Sequence, residues 1–147
     1  MVASTVTEPG PDNESTFKVC VIRSDPRQIC IPKRAVAREL ERHHYQQEAM
    51  FAIRLALEEA LTNAVRHGNR NDTSKTVTVR YAVTDDQATI VIRDEGRGFA
   101  PHDVPDPTTP ERLRIPNGRG IMLIRAYMDE VDFRDDGREL RVVKRRQ

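Results

Sequence analysis

The order of secondary-structure signals predicts a two-layer α/β (α+β) sandwich, in which three helices cover one face of a mixed, mostly antiparallel sheet. Three segments carry helical periodicity, and five short runs are rich in β-branched residues. Along the chain they follow one another as strand, two helices, hairpin, long loop, helix and hairpin. A chain of 147 residues is also long enough to bury one core of its own.

The first elements follow a predicted leader. Residues 1–14 contain a Pro-Gly-Pro run and are predicted to be a flexible N-terminal leader, so the domain is expected to span residues 15–147. Apolar residues alternate in "FKVCVIR", which predicts the first strand. "IPKRAVARELERHH" has Pro32 near its start and apolar residues at helical spacing, which predicts the first helix.

The middle and the end of the chain supply the remaining elements. A second helix is predicted from Gln46 to His67, with Gly68 as its stop. The runs "TVTVRYAV" and "QATIVIRD", joined by "TDDQ", predict a β-hairpin. "IMLIRAYM" is apolar at helical spacing and predicts the third helix. "DEVDFRDD" and "RELRVVKR", with Gly137 between them, predict a closing hairpin.

A long loop separates the first hairpin from the third helix. The stretch "EGRGFAPHDVPDPTTPERLRIPNGRG" contains five prolines and almost no periodic signal. Loops of this length are uncommon inside compact domains and are commonly functional lids. We therefore predict a lid at about residues 97–117, bracketed by the glycine-bearing stretches "DEGRGF" and "NGRGIMLI".

Composition and cysteine usage narrow the class of protein. With 24 basic and 23 acidic residues, the chain is not expected to bind nucleic acid directly. No segment reaches the roughly 18 continuous apolar residues that span a bilayer, and the N-terminus carries no secretory signal. Cys20 and Cys30 lack CxxC spacing, which favours reduced thiols in a cytoplasmic protein away from the membrane.

The second helix carries the first candidate site. Glu59, Asn63 and His67 recur every four residues on one face, and Asn is a mediocre helix former. The face is either solvated surface or a site. In a site, the Asn63 oxygen suits Mg²⁺, and Glu59 is placed to orient or deprotonate a hydroxyl. Glu58 is rotated about 100° from the Asn63 face, which favours Glu59 as the base.

The stretch that begins the long loop suits a nucleotide base. Asp94 follows a strand and offers an acceptor for the exocyclic amine of adenine. Gly96 and Gly98 allow close backbone approach. Alone, such a GxG stretch is most often a turn.

The stretch that ends the loop suits phosphate. Gly118 and Gly120 begin the third helix, where free backbone N–H groups and the helix dipole favour anions. Arg119 either adds a phosphate contact or points to solvent. The joint order of the three features, rather than any one of them, indicates a nucleotide site.

Together the motifs resemble those of the GHKL, or histidine-kinase-like, ATPase superfamily. "EEALTNAVRHG" looks like its N box, "DEGRGF" like its first glycine box and "NGRGIMLI" like its second. The short single-domain form and "AYMDEV" are most similar to the bacterial anti-sigma factor serine/threonine protein kinases. The resemblance covers about residues 15–145.

This resemblance implies a Bergerat ATP-binding fold with Mg-ATP between helices and sheet, under a mobile ATP lid. Glu59 falls on the family's catalytic base, Asn63 on its Mg²⁺ ligand and Asp94 on its adenine-binding aspartate. His67 either contributes to nucleotide binding or caps and packs the helix end. The remaining cofactor-binding positions are the box residues Gly96, Gly98, Gly118, Arg119 and Gly120.

The same resemblance implies the activity and the partners. It predicts an ATP-binding anti-sigma regulatory factor that binds a sigma factor and phosphorylates a STAS-type anti-anti-sigma protein, and it implies a homodimer. The alternative is a non-catalytic, ATP-dependent binding switch. A histidine-kinase fragment is disfavoured, because no phosphoacceptor helix pair precedes residue 15. Arg138 and Glu139 depart from the family pattern, since they stand where its Gly-Thr threonine is expected, and this puts the adenine side of the pocket in question.

Overall fold

The structure, a computed structural model, describes residues 4–9, 16–96 and 118–147. It contains a sheet of six strands, three α-helices, a short 3₁₀ turn at Pro26–Gln28 and a π-helical turn at Asn63–Gly68 that continues the second helix. In chain order the main elements are β1 (Ser4–Pro9), β2 (Thr16–Arg23), α1 (Cys30–Arg42), α2 (Gln47–Thr62), β3 (Thr76–Val83), β4 (Gln87–Arg93), α3 (Gly118–Tyr127), β5 (Glu130–Arg134) and β6 (Glu139–Arg145).

Every pair of neighbouring strands in the described part of the chain is antiparallel, so the expected mixture of directions is wrong. The strand order is β1-β2-β3-β4-β6-β5. Strands β4 and β5, which α3 connects, run in the same direction, but β6 lies between them in the sheet. Because β6 runs in the opposite direction, it pairs antiparallel with both, and β4 and β5 form no parallel pair.

The three helices cover one face of the sheet, as predicted. Alternate strand residues point toward them, because successive side chains of a strand face opposite sides. The resulting core joins both layers and includes Ile22, Val36, Ile53, Leu61, Val79, Ile90, Ile124 and Val142. On the other face Phe17, Ala82 and Val91 form a smaller buried cluster.

The predicted N-terminal leader differs from the structure at Ser4–Pro9, which forms the edge strand β1 and pairs with β2. This segment contains the β-branched residues Thr5, Val6 and Thr7, whose side chains suit a pleated strand. The Pro-Gly-Pro run that predicts a leader begins at the last residue of this strand. The domain boundary at residue 15 stays a prediction.

Helix α2 matches its prediction. The stripe of α2 is buried against the sheet and neighbouring helices, and consists of Ile53, Leu57, Ala60, Leu61 and Ala64. No disulfide joins the two cysteines, of which Cys20 lies in the core and Cys30 at the surface. None of the helices described is long and apolar enough to cross a membrane.

The side chain of Asn69 connects three chain segments by hydrogen bonds at one end of the sheet. It is buried, and its carboxamide nitrogen donates to the Ser24 hydroxyl and to the Thr76 carbonyl, the latter at 2.9 Å. Its carboxamide oxygen accepts a hydrogen bond of 2.8 Å from the backbone N–H of Glu95. One side chain therefore links the end of β2, the start of β3 and the loop after β4.

We expect Asn69→Ala to lower the free energy of unfolding by about 2 to 3 kcal/mol, because partly or fully buried donors and acceptors lose their partner. Urea unfolding followed by circular dichroism measures this. Thr73→Ala, an exposed position in the same loop, is the matched control and should change little. An equal effect of both substitutions would contradict the role assigned to Asn69.

Candidate active site

The C-terminal end of α2 changes from an α-helix to a π-helix at the motif that the sequence singles out. The α-helix ends at Thr62, and Asn63–Gly68 forms a π-helical turn. Such turns are wider than α-helical ones and are frequent at functional sites. Asn63 and His67 line the same cavity, so the predicted alignment of these two side chains holds although the helix type changes.

Glu59 and Asn63 meet the first turn of α3 at Gly120. A Cβ atom on Gly120 would lie 2.9 Å from Glu59 Oε2 and 3.3 Å from Asn63 Nδ2. At the other end of α3, the ring of Tyr127 packs edge-on against Phe51 of α2, with 6.0 Å between centroids. The two helices therefore run antiparallel, and their contact places the start of α3 beside the carboxylate and the carboxamide.

The structure separates the two adjacent glutamates of α2. Glu58 forms an ion pair with Lys33 of α1 and accepts a 3.2 Å hydrogen bond from the Thr62 hydroxyl. The hydrogen bond from Lys33 holds the pKa of Glu58 below its ordinary value. Glu58 is thus engaged in joining α1 to α2, while the Glu59 carboxylate faces Gly120.

Asp94 lies at the opposite end of the cavity, directly after β4. Its Oδ1 accepts a 2.8 Å hydrogen bond from the Gly96 backbone N–H, and its own N–H donates to the Arg138 carbonyl at 2.9 Å. Burial raises the pKa of the Asp94 carboxyl, and the Gly96 hydrogen bond and the charge of Arg138 counteract that rise. The Asp94 carboxylate is therefore a partly buried hydrogen-bond acceptor whose orientation is fixed by the Gly96 N–H.

Two glycines make room for this carboxylate. A Cβ atom on Gly68 would lie 2.5 Å from Asp94 Oδ2, which is closer than atoms pack. A Cβ atom on Gly96 would lie only 2.1 Å from the Gly68 carbonyl oxygen. The end of the π-helical turn and the loop after β4 therefore touch through backbone, and only glycine permits that contact.

A cavity of about 200 Å³ connects the two ends of the site. Its walls are apolar where helices and sheet face each other, and a few polar side chains point into it. Such a composition is usual for small-molecule sites. The apolar lining is Ala60, Ala64, Ile92, Ile121, Ile124, Phe133 and Leu140, and the polar lining is Asn63, His67, Arg70, Asp94 and Arg138.

Arg138 and Glu139, the two residues that depart from the family pattern, lie in different environments. Arg138 lines the cavity and donates through Nε to the Gly96 carbonyl at 2.8 Å. Glu139 instead faces Arg93 at 3.6 Å. Of the two residues that depart from the family pattern, Arg138 is therefore part of the cavity wall, and Glu139 is not among the residues that line it.

His67 and Arg70 complete the polar wall. Partial desolvation of the His67 ring, and after it the nearby charge of Arg66, lowers the pKa of His67. Arg70 has a positive φ of 54° and lines the same cavity, but no sequence signal pointed to it. Asn69 was also missed, because in the sequence an asparagine between Gly68 and Arg70 looks like any turn residue.

The remaining predicted site residues belong to the two glycine boxes and the lid. Gly98 and the predicted lid at 97–117 lie outside the described residues. Gly118 begins α3 as expected. Arg119 is described only as part of that helix.

Asp94→Asn is expected to stabilise the protein at pH 7. A carboxyl whose pKa is raised in the folded state adds stability below its unfolded pKa and loses it as pH rises through the folded pKa. Removing the ionisable group removes that loss, so the variant should melt at a higher temperature at pH 7. Thermal unfolding at pH 7 and below pH 3 checks this: the two proteins should differ at pH 7 and converge in acid. A lower melting temperature of the variant at pH 7 would contradict the raised pKa.

Comparison with known proteins identifies the family of this chain. The histidine kinase-like ATPase domain family matches residues 22–144. The chain is 27% identical over 122 residues to the serine-protein kinase RsbW of Listeria monocytogenes, covering 76% of each protein. It is 33% identical over 98 residues to that of Bacillus licheniformis, covering 63% of this chain and 61% of the relative. To that of Bacillus subtilis it is 26% identical over 126 residues, covering 81% and 78%. The chain belongs to the family of histidine kinase-like ATPase domains.

Proposed function

We propose that this protein is a Mg-ATP-dependent serine/threonine protein kinase that controls sigma-factor availability. The observation that carries the proposal is the position of Asn63, which meets Glu59 and Gly120 and also lines a cavity whose wall includes Asp94. The relatives named serine-protein kinase support the same reaction.

The Asp94 end fits an adenine base. The flat base would lie between the apolar walls, and the carboxylate of Asp94 would accept a hydrogen bond from its exocyclic amine. Gly68 supports this role because it lets the carboxylate sit against backbone, where a larger residue would displace it.

The Gly120 end fits phosphates and Mg²⁺. The first turn of α3 presents free N–H groups to an anion, and the Asn63 carboxamide lies within 3.8 Å of the position where a Gly120 Cβ would be. No group of three or more metal-ligating side chains lies together in the described ranges. A cation on Asn63 would therefore take its other ligands from phosphate and water, as Mg²⁺ commonly does.

The chemistry assigned to this chain is positioning and proton handling. Bound Mg-ATP supplies the phosphoryl group and the charge that neutralises its oxygens. Glu59 would orient the hydroxyl of a protein serine or threonine and take its proton as the oxygen bonds to the γ-phosphorus and the bond to the β–γ bridging oxygen breaks. ADP leaves with that bridging oxygen. Such a base contributes roughly 10²- to 10⁴-fold to the rate.

The partners of the proposal are a sigma factor, which the protein would sequester, and a STAS-type anti-anti-sigma protein, which it would phosphorylate. A homodimer in the cytoplasm is part of the same proposal. The sequence motifs of the anti-sigma kinases, carried here by the N box and both glycine boxes, support it.

A second function, an ATP-dependent binding switch without transfer, is favoured by one observation. Arg138 occupies the cavity wall at the position of the family's threonine. Transfer to a hydroxyl requires Glu59, whereas a switch needs only nucleotide binding, so substitution of Glu59 separates the two functions.

Glu59→Gln should keep ATP affinity within about threefold of wild type and lower phosphoryl transfer at least a hundredfold, the usual contribution of a general base. Calorimetric titration with Mg-ATP and transfer of radioactive phosphate to a purified STAS-type protein measure the two quantities. Glu58→Gln, next to it but paired with Lys33, is the matched control and should retain transfer. Loss of transfer in the control alone would contradict the assignment.

Asn63→Ala should remove the dependence of ATP binding on Mg²⁺, because the one described side-chain oxygen assigned to the cation is lost. Titrations with and without Mg²⁺ measure this. The neighbouring Thr62→Ala, which loses only a contact to Glu58, should keep the dependence. A Mg²⁺ dependence that survives in Asn63→Ala would show that the cation lies elsewhere.

Gly120→Ala should weaken Mg-ATP binding at least tenfold without destabilising the fold. The added methyl would displace the flexible carboxylate end of Glu59 rather than backbone. Within a helix, Ala is also favoured over Gly by up to about 1 kcal/mol. Titration and thermal unfolding of the same sample test this, and unchanged affinity would argue against phosphate binding at this helix start.

A further inference from the structure

Arg138 ties the loop that carries Asp94 to the turn between β5 and β6. Its Nε donates to the Gly96 carbonyl at 2.8 Å, and its Nη1 lies 3.3 Å from both the carbonyl and the Oδ1 of Asp135. Its backbone carbonyl accepts from Asp94 at 2.9 Å. One residue therefore contacts both sides of the cavity mouth at the Asp94 end.

The turn itself is built to hold this arginine. Asp135, Asp136 and Gly137 have successive positive φ values of 52°, 55° and 85°. Two non-glycine residues in this left-handed region are unusual and require support from their surroundings. Arg138 supplies part of that support through Asp135 and lies 3.7 Å from the Asp136 carboxylate.

Gly96 receives contacts on three sides. Its N–H donates to Asp94 Oδ1, its carbonyl accepts from Arg138, and its Cα lies against the Gly68 carbonyl. Because the hydrogen bond from Gly96 N–H fixes one oxygen of the Asp94 carboxylate, the position of Gly96 determines where that carboxylate points. Arg138 is the side chain that holds Gly96 from the cavity side.

Arg138 also has the strongest charge effect on Asp94. Of the cations that favour the ionised carboxylate, Arg138 acts most, followed by Arg93 on β4 and Lys75 before β3. From the π-helical turn and its exit, His67 and Arg70 face the same cavity. Burial opposes all of these by raising the pKa of Asp94.

We propose that Arg138 is a positioning residue for base recognition: by holding Gly96, it orients the Asp94 carboxylate toward the exocyclic amine of the nucleotide base. The inference rests on the proposed ATP site and goes beyond it. A threonine at this position is too short to reach both the Gly96 carbonyl and Asp135. The preference of this chain for ATP would thus depend on the two-sided hydrogen bonding of the Arg138 guanidinium, to Gly96 and to Asp135, which a threonine hydroxyl cannot reproduce.

The test compares ATP with inosine triphosphate, which presents a carbonyl oxygen where ATP presents the amine. Calorimetric titrations between pH 5 and 8 give the affinity for each nucleotide and their ratio. The shared triphosphate cancels in the ratio, so the ratio reports only the contact at the base. Thermal unfolding of each variant verifies that it is folded.

Three substitutions separate the contributions. Arg138→Met removes the hydrogen bonds and the charge, and Arg138→Lys keeps the charge but loses the fork. Arg93→Met is the matched control, because Arg93 also contacts Asp135 and acts on Asp94 through its charge, yet it makes no contact with Gly96.

Arg138→Met should lower ATP affinity on the order of tenfold, as expected for a lost hydrogen bond to a charged group, and leave inosine triphosphate binding nearly unchanged. ATP binding needs the ionised carboxylate, so it is lost as pH falls through the pKa of Asp94. Without the arginine this pKa rises further, and the loss should begin at a higher pH. Arg138→Lys should lose the preference for ATP while keeping the wild-type pH midpoint, and Arg93→Met should keep the preference.

Two outcomes would overturn the inference alone. An unchanged ratio of ATP to inosine triphosphate affinity in Arg138→Met, with ATP still bound, would show that Arg138 does not orient Asp94. An equal loss of both nucleotides would assign it a general structural role instead. If wild type binds neither nucleotide, the proposed function itself fails, and the inference falls with it.

Discussion

The backbone contact at Gly68 is the constraint on which the site depends. Here the end of the π-helical turn lies against both the Asp94 carboxylate and the backbone of Gly96, at distances that leave no space for a side chain on either glycine. This contact sets how far the helix layer stands from the end of β4. A larger separation would open the cavity between Ala64 and Ile92, and a smaller one would close it. The Asp94 end and the Asn63 end of the cavity are therefore positioned together rather than independently.

Polar groups around this contact keep it in place. Asn69 directly follows Gly68 and hydrogen-bonds to the end of β2, the start of β3 and the loop after β4. On the other side Arg138 reaches the Gly96 carbonyl from the β5–β6 turn. Since these groups are neighbours in space, substitutions of Asn69 and Arg138 should not act additively. The fold and the site thus share the same interactions at this edge of the sheet.

Much of the architecture could be predicted because periodicity follows from burial. The buried stripe of α2 and the alternation in β3 and β4 come directly from facing the core, so the second helix and the first hairpin were predicted nearly to the residue. The strand at Ser4–Pro9 was missed because the Pro-Gly-Pro run at its end indicates a flexible leader, and pairing with β2 cannot be read from the local sequence. Strand directions were partly wrong because the insertion of β6 between β4 and β5 is a property of tertiary packing.

Candidate site residues could be named from the sequence where they belong to short local motifs. Glu59, Asn63 and Asp94 stand in recognisable motifs, whereas Asn69 and Arg138 act through contacts with residues far away in the chain. The most direct test of the whole account is a crystal structure of the protein with Mg²⁺ and a non-hydrolysable ATP analogue. We predict the exocyclic amine on the Asp94 carboxylate and Mg²⁺ on the Asn63 oxygen. A base bound away from Asp94, or a cation held by other side chains, would contradict the account.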